Sequence, residues 1–338
     1  MEYRRLGRTG VTVSTLCLGA MMFGDWGAED HEESVRIIHR ALDAGINFID
    51  TADVYSAGES EVIVGKALAG GRRDDVVLAS KVALPMGEDP NQRGSSRRWI
   101  VREVENSLRR LGTDYLDLYQ VHRYDPDTDL EVTLGALSDL VRAGKIRYIG
   151  HSTWPVSAIV EAQWTARDRG RERFTTEQPP YSMLNRAIEI DVLPTCARYG
   201  MGVVSYAPLS GGWLSGRYRS GGSAQGPHAA MRPASRFDMS LPENQRKLAA
   251  AGQLGELADK AEITLIEMAI AFVLRHPAIT SAIIGPRTME HLESQLTAAS
   301  TVLSDDVLDQ IDEIVPPGIT ISPSESNSPA PHAQARRR

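Results

Sequence analysis

The sequence predicts an α/β protein built as one (β/α)8 TIM barrel over residues 1–316, and three observations support this fold class. Eight short apolar runs alternate along the chain with amphipathic stretches of helical periodicity. Runs that are apolar throughout require burial on both faces, as in a parallel sheet covered by helices. Polar residues follow many of these runs directly, where a barrel gathers its functional site. A doubly wound open sheet shares the alternation, but no Gly-x-Gly-x-x-Gly follows an early strand, so the barrel is preferred.

The composition is that of an ordinary globular domain and excludes several classes of protein. The 338 residues carry a formal net charge of −7, which gives no reason to expect a nucleic-acid partner. No apolar run approaches the ~20 residues of a membrane helix, and the N-terminus shows no apolar signal-peptide core. Cys17 and Cys196 are far apart in unrelated settings, which argues against a disulfide framework or a metal cluster. We therefore expect a cytoplasmic protein with no membrane, nucleic-acid or metal partner.

The chain opens with a predicted β-hairpin. Two short β-prone runs, Tyr3–Leu6 and Val11–Val13, flank the turn signal Gly7–Gly10. The predicted barrel strands then follow in order as Leu16–Gly19, Phe48–Asp50, Val76–Lys81, Leu116–Val121, Ile146–Gly150, Phe174–Glu177, Val203–Ser205 and Thr280–Ile284.

Helix boundaries come from periodicity and capping residues. One helix is predicted from His31 to Ala44, ended by Gly45, and the next opens near Glu59. A helix is also predicted over Arg97–Leu111, because four apolar residues share a face: Val101, Val104, Leu108 and Leu111. Thr128–Glu131 reads as a capping box that starts the following helix.

Two stretches lack this periodicity. The long loop after the seventh strand, Leu209 to about Pro242, is rich in Gly, Ser, Arg and Pro. Loops of this length inside a compact domain are usually functional or disordered, and we expect this one to cover a cofactor. Residues 317–338 are predicted to form a disordered tail, because their composition offers too little apolar surface to bury.

Four ionisable side chains stand at strand ends or in the loops that follow: Asp50, Tyr55, Lys81 and His122. A free tyrosine, with a pKa of about 10, is too weak an acid to donate a proton readily. A neighbouring lysine ammonium favours the phenolate and lowers that pKa. The lysine in turn needs an anion to stay charged, which suits Asp50.

The stretch Phe48–Leu68, with Lys81 and His122 at later strand ends, resembles the aldo-keto reductases. The resemblance covers roughly Tyr3 to Ile314 and lies nearer the bacterial and potassium-channel β-subunit-like branch. It implies a catalytic tetrad in which Tyr55 donates the proton, Lys81 activates it and Asp50 holds Lys81. His122 would hydrogen-bond the carbonyl oxygen and orient the substrate.

The resemblance also implies residues that bind NADPH. Ser152 and Gln178 match ligands of the nicotinamide carboxamide, while Thr153 stands where the family usually has Asn, and Tyr206 matches the aromatic residue that stacks on the nicotinamide ring. The loop matched to pyrophosphate binding contributes Pro208, Leu209, Ser210, Gly212, Leu214, Gly216 and Arg217. The segment matched to the adenosine 2′-phosphate contributes Gly285, Arg287, His291 and Gln295. His291 replaces a common Arg, and Gln295 replaces a common Asn. Arg287 remains as a residue that would hold the 2′-phosphate, and NADPH is preferred to NADH chiefly for that reason.

The expected activity is therefore NADPH-dependent reduction of an aldehyde or ketone. Some bacterial relatives reduce keto-sugars, which makes a keto-sugar one candidate substrate. Trp26 and Tyr124 follow strand ends and are expected at the pocket mouth as substrate contacts. The alternative is a redox-sensing, NADP-binding regulatory module like the potassium-channel β-subunits. The sequence leaves open whether the protein is a monomer or a homo-oligomer.

Overall fold

The computed structural model describes residues 1–220 and 234–322, and its centre is a closed barrel of eight parallel strands. The strands pair in chain order, and the last pairs with the first through Ala282–Leu16 and Ile284–Leu18. They are β3 (Leu16–Gly19), β4 (Phe48–Asp50), β5 (Val77–Val82), β6 (Leu116–Val121), β7 (Ile146–Ser152), β8 (Thr176–Gln178), β9 (Gly202–Ser205) and β10 (Ile279–Ile284). The predicted (β/α)8 architecture is confirmed, since each apolar run forms one barrel strand.

The predicted hairpin, β1 (Tyr3–Arg5) and β2 (Thr12–Ser14), pairs antiparallel and closes the amino end of the barrel. Its turn lies so close to the chain before β9 that a Cβ at Gly7 would stand 2.6 Å from the Gly202 nitrogen. Gly7 also has a φ of +56°, so the turn needs glycine on both grounds. The hairpin thus buries apolar side chains against the barrel interior, leaving the carboxyl ends of the strands for a site. These inner residues are Leu6, Val13, Cys17, Phe48, Ala79, Leu118, Val204 and Ile283.

Helices cover the outside of the barrel and pack on it through a continuous apolar layer. They are α1 (His31–Asp43), α2 (Glu59–Leu68), α3 (Arg97–Leu111), α4 (Leu130–Arg142), α5 (Val156–Asp168), α6 (Val192–Tyr199), α7 (Pro242–Lys260), α8 (Leu265–Arg275), α9 (Met289–Leu296) and α10 (Asp305–Ile314).

Two local predictions about these helices are wrong. Val101 does not lie on the buried face of α3 but is 39% exposed, because that face is completed by Trp99 and Ile100. The predicted capping box is absent as well. Asp129 is the residue that caps α4, accepting the Glu131 N–H, while the Thr128 hydroxyl donates to Asp125.

The long loop and the tail are described only in part. Residues 221–233 and 323–338 lie outside the described residues, and with them much of the predicted covering loop and most of the predicted disordered tail. The chain at 317–322 contacts the segment before α6: Thr320 bridges Asn185, and the Arg186 N–H donates to the Ile319 carbonyl at 2.9 Å. Within the described ranges, no helix is long and apolar enough to cross a membrane, and no three His, Cys, Asp or Glu side chains are grouped to hold a metal.

Candidate active site

The carboxyl ends of the barrel strands surround a cavity of about 520 Å³. Asp50, Tyr55 and His122 of the predicted tetrad line this cavity. Lys81 is fully buried behind them and contacts two of them. The fold therefore brings all four predicted catalytic side chains together, although two come from strands and two from the loops that follow strands.

Lys81 is the centre of this group. Its ammonium donates to Asp50 Oδ1, to the Thr51 carbonyl at 2.9 Å and to the Tyr55 hydroxyl at 3.0 Å. Burial alone lowers the pKa of Lys81, but Asp50 and Tyr55 together hold it above its ordinary value. The lysine is therefore a permanent positive charge within hydrogen-bond distance of the phenol.

Asp50 is held by three donors from different strands. Besides Lys81, its second oxygen accepts from the Gln120 amide at 3.0 Å and from the Gln178 amide at 2.8 Å. Such partners are required because a carboxyl group with 2% exposure is costly to bury without hydrogen bonds. Gln120 was not among the predicted site residues, although a polar side chain near the end of an apolar strand is a readable signal.

Tyr55 is buried deeply enough to keep its proton at rest. Burial raises the pKa of the phenol above its ordinary value, and the neighbouring Lys81 ammonium offsets part of that rise. The side chain is nevertheless 9% exposed, on the cavity. A neutral phenol beside a fixed cation is the arrangement that proton donation requires.

His122 follows β6, and its imidazole meets the Tyr55 ring edge-on with centroids 5.7 Å apart. Its Nδ1 is buried and finds no hydrogen-bond partner among the residues that the structure describes. Burial, followed by the charges of Lys81 and Arg123, holds the pKa of His122 well below its ordinary value. A neutral ring with the proton on Nε2 fits this environment, since a buried N–H without an acceptor would be the costlier tautomer.

The loop after Tyr55 carries three successive residues in the left-handed region, Ser56, Ala57 and Gly58, with φ of 47°, 53° and 97°. Ser56 and Ala57 are strained there, at a cost of order 1–3 kcal/mol each. The turn brings the Ser56 hydroxyl to the Trp26 N–H at 3.1 Å. The Trp26 ring consequently lies 6.0 Å from the Tyr55 ring, between centroids.

The two predicted substrate contacts, Trp26 and Tyr124, differ in their position relative to the cavity. Trp26 lines the cavity. Tyr124 does not, because its ring packs edge-on against Trp154 with centroids 5.2 Å apart.

The residues matched to nicotinamide binding lie beside the tetrad. Ser152, Gln178 and Tyr206 line the cavity. Thr153 is buried behind them at a φ of +58°, with its hydroxyl 3.3 Å from the Tyr206 hydroxyl. The Ser152 hydroxyl donates to the Gln178 carbonyl at 2.9 Å, which ties the end of β7 to the end of β8.

Sequence reasoning missed a buried acid that fixes this segment. The Glu177 carboxylate accepts the Thr153 N–H at 2.9 Å and the Trp154 N–H at 3.3 Å, and its second oxygen contacts His151 Nδ1. The His151 ring stacks on Trp154, with centroids 4.7 Å apart. Both Glu177 and His151 are fully buried. The carboxylate thus holds the backbone that presents Ser152 and Thr153.

The residues matched to phosphate binding form a second part of the cavity wall. From the loop after β9, Pro208, Leu209, Gly212 and Arg217 line the cavity. Ser210, Leu214 and Gly216 of the same loop do not. All four residues of the other predicted segment line it, namely Gly285, Arg287, His291 and Gln295.

This second wall carries a concentration of positive charge. Arg217, Arg287 and His291 all line it. Burial, followed by the charge of Arg287 and then that of Arg217, lowers the pKa of His291, so the two arginines supply the positive charge of this wall. A Cβ at Gly212 or Gly285 would meet no atom of the described residues within 4 Å, so the backbone there leaves room for a ligand. Open glycines beside clustered cations suit a phosphate group.

A second residue that the sequence reasoning missed is Arg123. It lines the cavity, and its Nη1 donates to the His122 carbonyl at 2.6 Å and to the Ser152 hydroxyl at 3.2 Å. Its position directly after His122, at a strand end, is a weak signal in the sequence.

With this fold and site, the chain belongs to the aldo/keto reductase family, whose family model matches residues 15–316. It is similar to the uncharacterized oxidoreductase YrpG of Bacillus subtilis, with 41% identity over 94% of this chain and 96% of that protein. The aldo-keto reductase YhdN of the same organism is 36% identical over 87% of each chain. These relatives support an oxidoreductase function.

The chain is also similar to a probable voltage-gated potassium channel subunit beta of Arabidopsis thaliana. The identity is 34%, over 93% of this chain and 97% of the plant protein. The predicted likeness to both the bacterial enzymes and the channel-subunit branch is therefore confirmed.

Proposed function

We propose that this protein reduces an aldehyde or ketone to the alcohol with NADPH, using Tyr55 as the proton donor. One observation carries the proposal: the buried Lys81 ammonium is hydrogen-bonded to Asp50 and to a cavity-lining phenol at 3.0 Å. A lysine in an isolated ion pair would stabilise little by itself, since buried pairs often only balance their desolvation cost. Its contact with a cavity-facing acid is explained by catalysis.

The cavity wall fits a dinucleotide with an added phosphate. Ser152, Gln178 and Tyr206 are the residues that would hold and stack the nicotinamide beside Tyr55. Arg217 and Arg287 would hold phosphate groups by their charge and His291 by a ring N–H, because these side chains line the cavity where the backbone is open. NADPH, when bound, supplies a hydride to the carbonyl carbon.

The chain's own residues would then deliver the proton. The substrate oxygen is expected between the Tyr55 hydroxyl and the His122 imidazole, where the neutral His122 donates a hydrogen bond and fixes the carbonyl. Tyr55 transfers its proton to the oxygen as negative charge develops there. The phenolate that remains is stabilised by Lys81, whose charge is in turn held by Asp50.

The test compares Tyr55→Phe and Lys81→Met with the wild-type enzyme on several aldehydes and ketones. General acid catalysis contributes about 10²–10⁴-fold, so kcat should fall by that order in each variant while the Kd for NADPH changes little. The double variant should be scarcely worse than either single one, because residues that act as a unit are non-additive.

Tyr124→Phe is the matched control, since that tyrosine does not line the cavity, and it should retain wild-type turnover. A folded Tyr55→Phe protein that keeps near-wild-type turnover would refute the assignment of the acid.

A regulatory, redox-sensing module is the second candidate, favoured by the likeness to the plant channel subunit. The two candidates separate in one measurement. An enzyme oxidises NADPH repeatedly with a generic aldehyde, whereas a sensing module binds NADPH tightly and turns over little.

A further inference from the structure

We propose that Arg123 selects carbonyl substrates that carry an oxyanionic group, a carboxylate or a phosphate, near the reacting carbon. This inference rests on the proposed reductase function and names the substrate class for the same cavity. Arg123 directly follows His122 and lines the cavity at the carboxyl end of β6.

The guanidinium is fixed on one side only. Its Nη1 is held by the His122 carbonyl at 2.6 Å and by the Ser152 hydroxyl at 3.2 Å. Among residues 1–220 and 234–322, Nε and Nη2 have no hydrogen-bond partner. Two donors of a planar fork are thus left beside the cavity, and a planar pair of donors matches an oxyanion.

Arg123 also has no carboxylate partner within the described chain, unlike three arginines that are partly or fully buried elsewhere in the fold. Arg73 pairs with Asp117 at 2.8 Å, Arg110 with Glu61 and Glu103 at 2.6 Å each, and Arg186 with Asp312 at 2.6 Å. The fold supplies a counter-ion to these three cations, and Arg123 faces the cavity without one.

The charge acts on the reacting groups. The positive charge of Arg123 helps to lower the pKa of His122 and offsets a part of the rise that burial causes in the pKa of Tyr55. Since Asp50 neutralises Lys81, and His122 is neutral, this end of the cavity keeps one uncompensated positive charge. An anion on the substrate would neutralise it.

The surrounding wall strengthens such an interaction. Met21, Met22, Trp26, Val54 and Leu84 line the same cavity and offer no opposing charge. A charge pair flanked by apolar side chains is less screened by water than an exposed pair. The substrate class that fits is a small carbonyl compound with a carboxylate or phosphate beside an apolar body.

The experiment uses pairs of substrates that differ in one charge: 4-carboxybenzaldehyde against benzaldehyde, and glycolaldehyde phosphate against glycolaldehyde. Wild-type kcat/KM should favour the anionic member of at least one pair by roughly ten- to a hundredfold, the effect of one charge-assisted contact. Which pair shows the preference identifies the carboxylate or the phosphate. In Arg123→Met the preference should fall to about one, with the neutral substrate changed by less than about threefold. Arg123→Lys should keep part of the preference, because the charge remains while the fork is lost.

Arg147→Met is the control for loss of an arginine, because Arg147 lies near the amino end of β7, outside the cavity wall. A merely structural role for Arg123, exerted through Ser152, predicts a different pattern. Arg123→Met would then weaken NADPH binding and slow anionic and neutral substrates equally, and the proposal would be overturned.

A binding measurement separates this inference from the proposed function. Calorimetric titration of the NADP⁺-loaded protein with benzoate and inorganic phosphate, and with benzamide as the neutral analogue, needs no turnover. Benzoate or phosphate binding that is lost in Arg123→Met, with benzamide unaffected, supports the anion site even if no carbonyl is reduced. If neither anion binds, or if Arg123→Met binds them as the wild type does, the inference fails whatever the enzyme reduces.

Discussion

Replacing Glu177 with alanine tests how the site is supported, because this buried carboxylate holds the backbone beside the predicted nicotinamide contacts. The change removes the acceptor of two donors, the Trp154 N–H at 3.3 Å and His151 Nδ1, and leaves the Thr153 N–H with the Gln178 carbonyl at 3.2 Å as its acceptor. A buried donor left without an acceptor costs about 1–3 kcal/mol. Two such donors give a loss of about 2–6 kcal/mol in the free energy of unfolding, before any relaxation or entry of water. That is a large part of the ~5–15 kcal/mol typical of a folded protein.

Urea unfolding of the cofactor-free protein is the assay, with Glu177→Gln and Glu161→Ala as companions. Glu177→Gln keeps one oxygen to accept the backbone N–H groups, so its loss should be clearly smaller than that of Glu177→Ala. Glu161 is exposed on α5, and its removal should change stability by no more than about 0.5 kcal/mol. NADPH affinity should weaken in Glu177→Ala, because the strained Thr153 backbone loses the shorter of its two N–H hydrogen bonds. A Glu177→Ala protein within about 1 kcal/mol of the wild type would show that the reasoning about these donors is wrong.

Two further predictions concern the cofactor and the pH profile. Arg287→Ala should weaken NADPH binding by about 1.5–3 kcal/mol, roughly ten- to a hundredfold, while NADH binding stays nearly constant; an unchanged ratio of the two Kd values would contradict the assignment. The kcat/KM for reduction should be flat from about pH 7 to 9. The pKa of His122 is lowered, so the imidazole is already neutral there, and the pKa of Tyr55 is raised, so the phenol still carries its proton. A rise or fall of kcat/KM inside that window would contradict these protonation states.

The fold was largely predictable because its signals are local. The boundaries of α3 and β6 coincide with those predicted, since helix and strand periodicity are read from neighbouring residues and Gly112 ends α3 in the left-handed region. Val101 shows the limit of that reading. The apolar residues of α3 include Trp99 and Ile100 as well as Val101, and the same periodicity allows either side of this face to be buried. Which of these side chains is buried therefore depends on the elements that pack against the helix.

The supporting residues of the site were less predictable, because their contacts depend on register between strands. His151 and Glu177 are direct partners in the β7–β8 pairing, which no spacing in the sequence reveals. Gln120 reaches Asp50 across the inside of the barrel, from a strand that is not its neighbour. The motif resemblance supplied the tetrad, but residues that hold or surround it became visible only once the barrel had closed.

The proposed acid requires two properties that oppose each other, and the structure assigns them to different neighbours. Tyr55 must remain protonated until a substrate arrives, and burial secures this by raising its pKa. It must also release the proton when charge develops on the carbonyl oxygen, and the Lys81 ammonium at 3.0 Å then stabilises the phenolate. Asp50 is needed in this arrangement because burial by itself lowers the pKa of Lys81, so the lysine would tend to lose its charge without the carboxylate. The two glutamine amides therefore support catalysis indirectly, because they hold in place the Asp50 carboxylate that pairs with the Lys81 ammonium beside the acid.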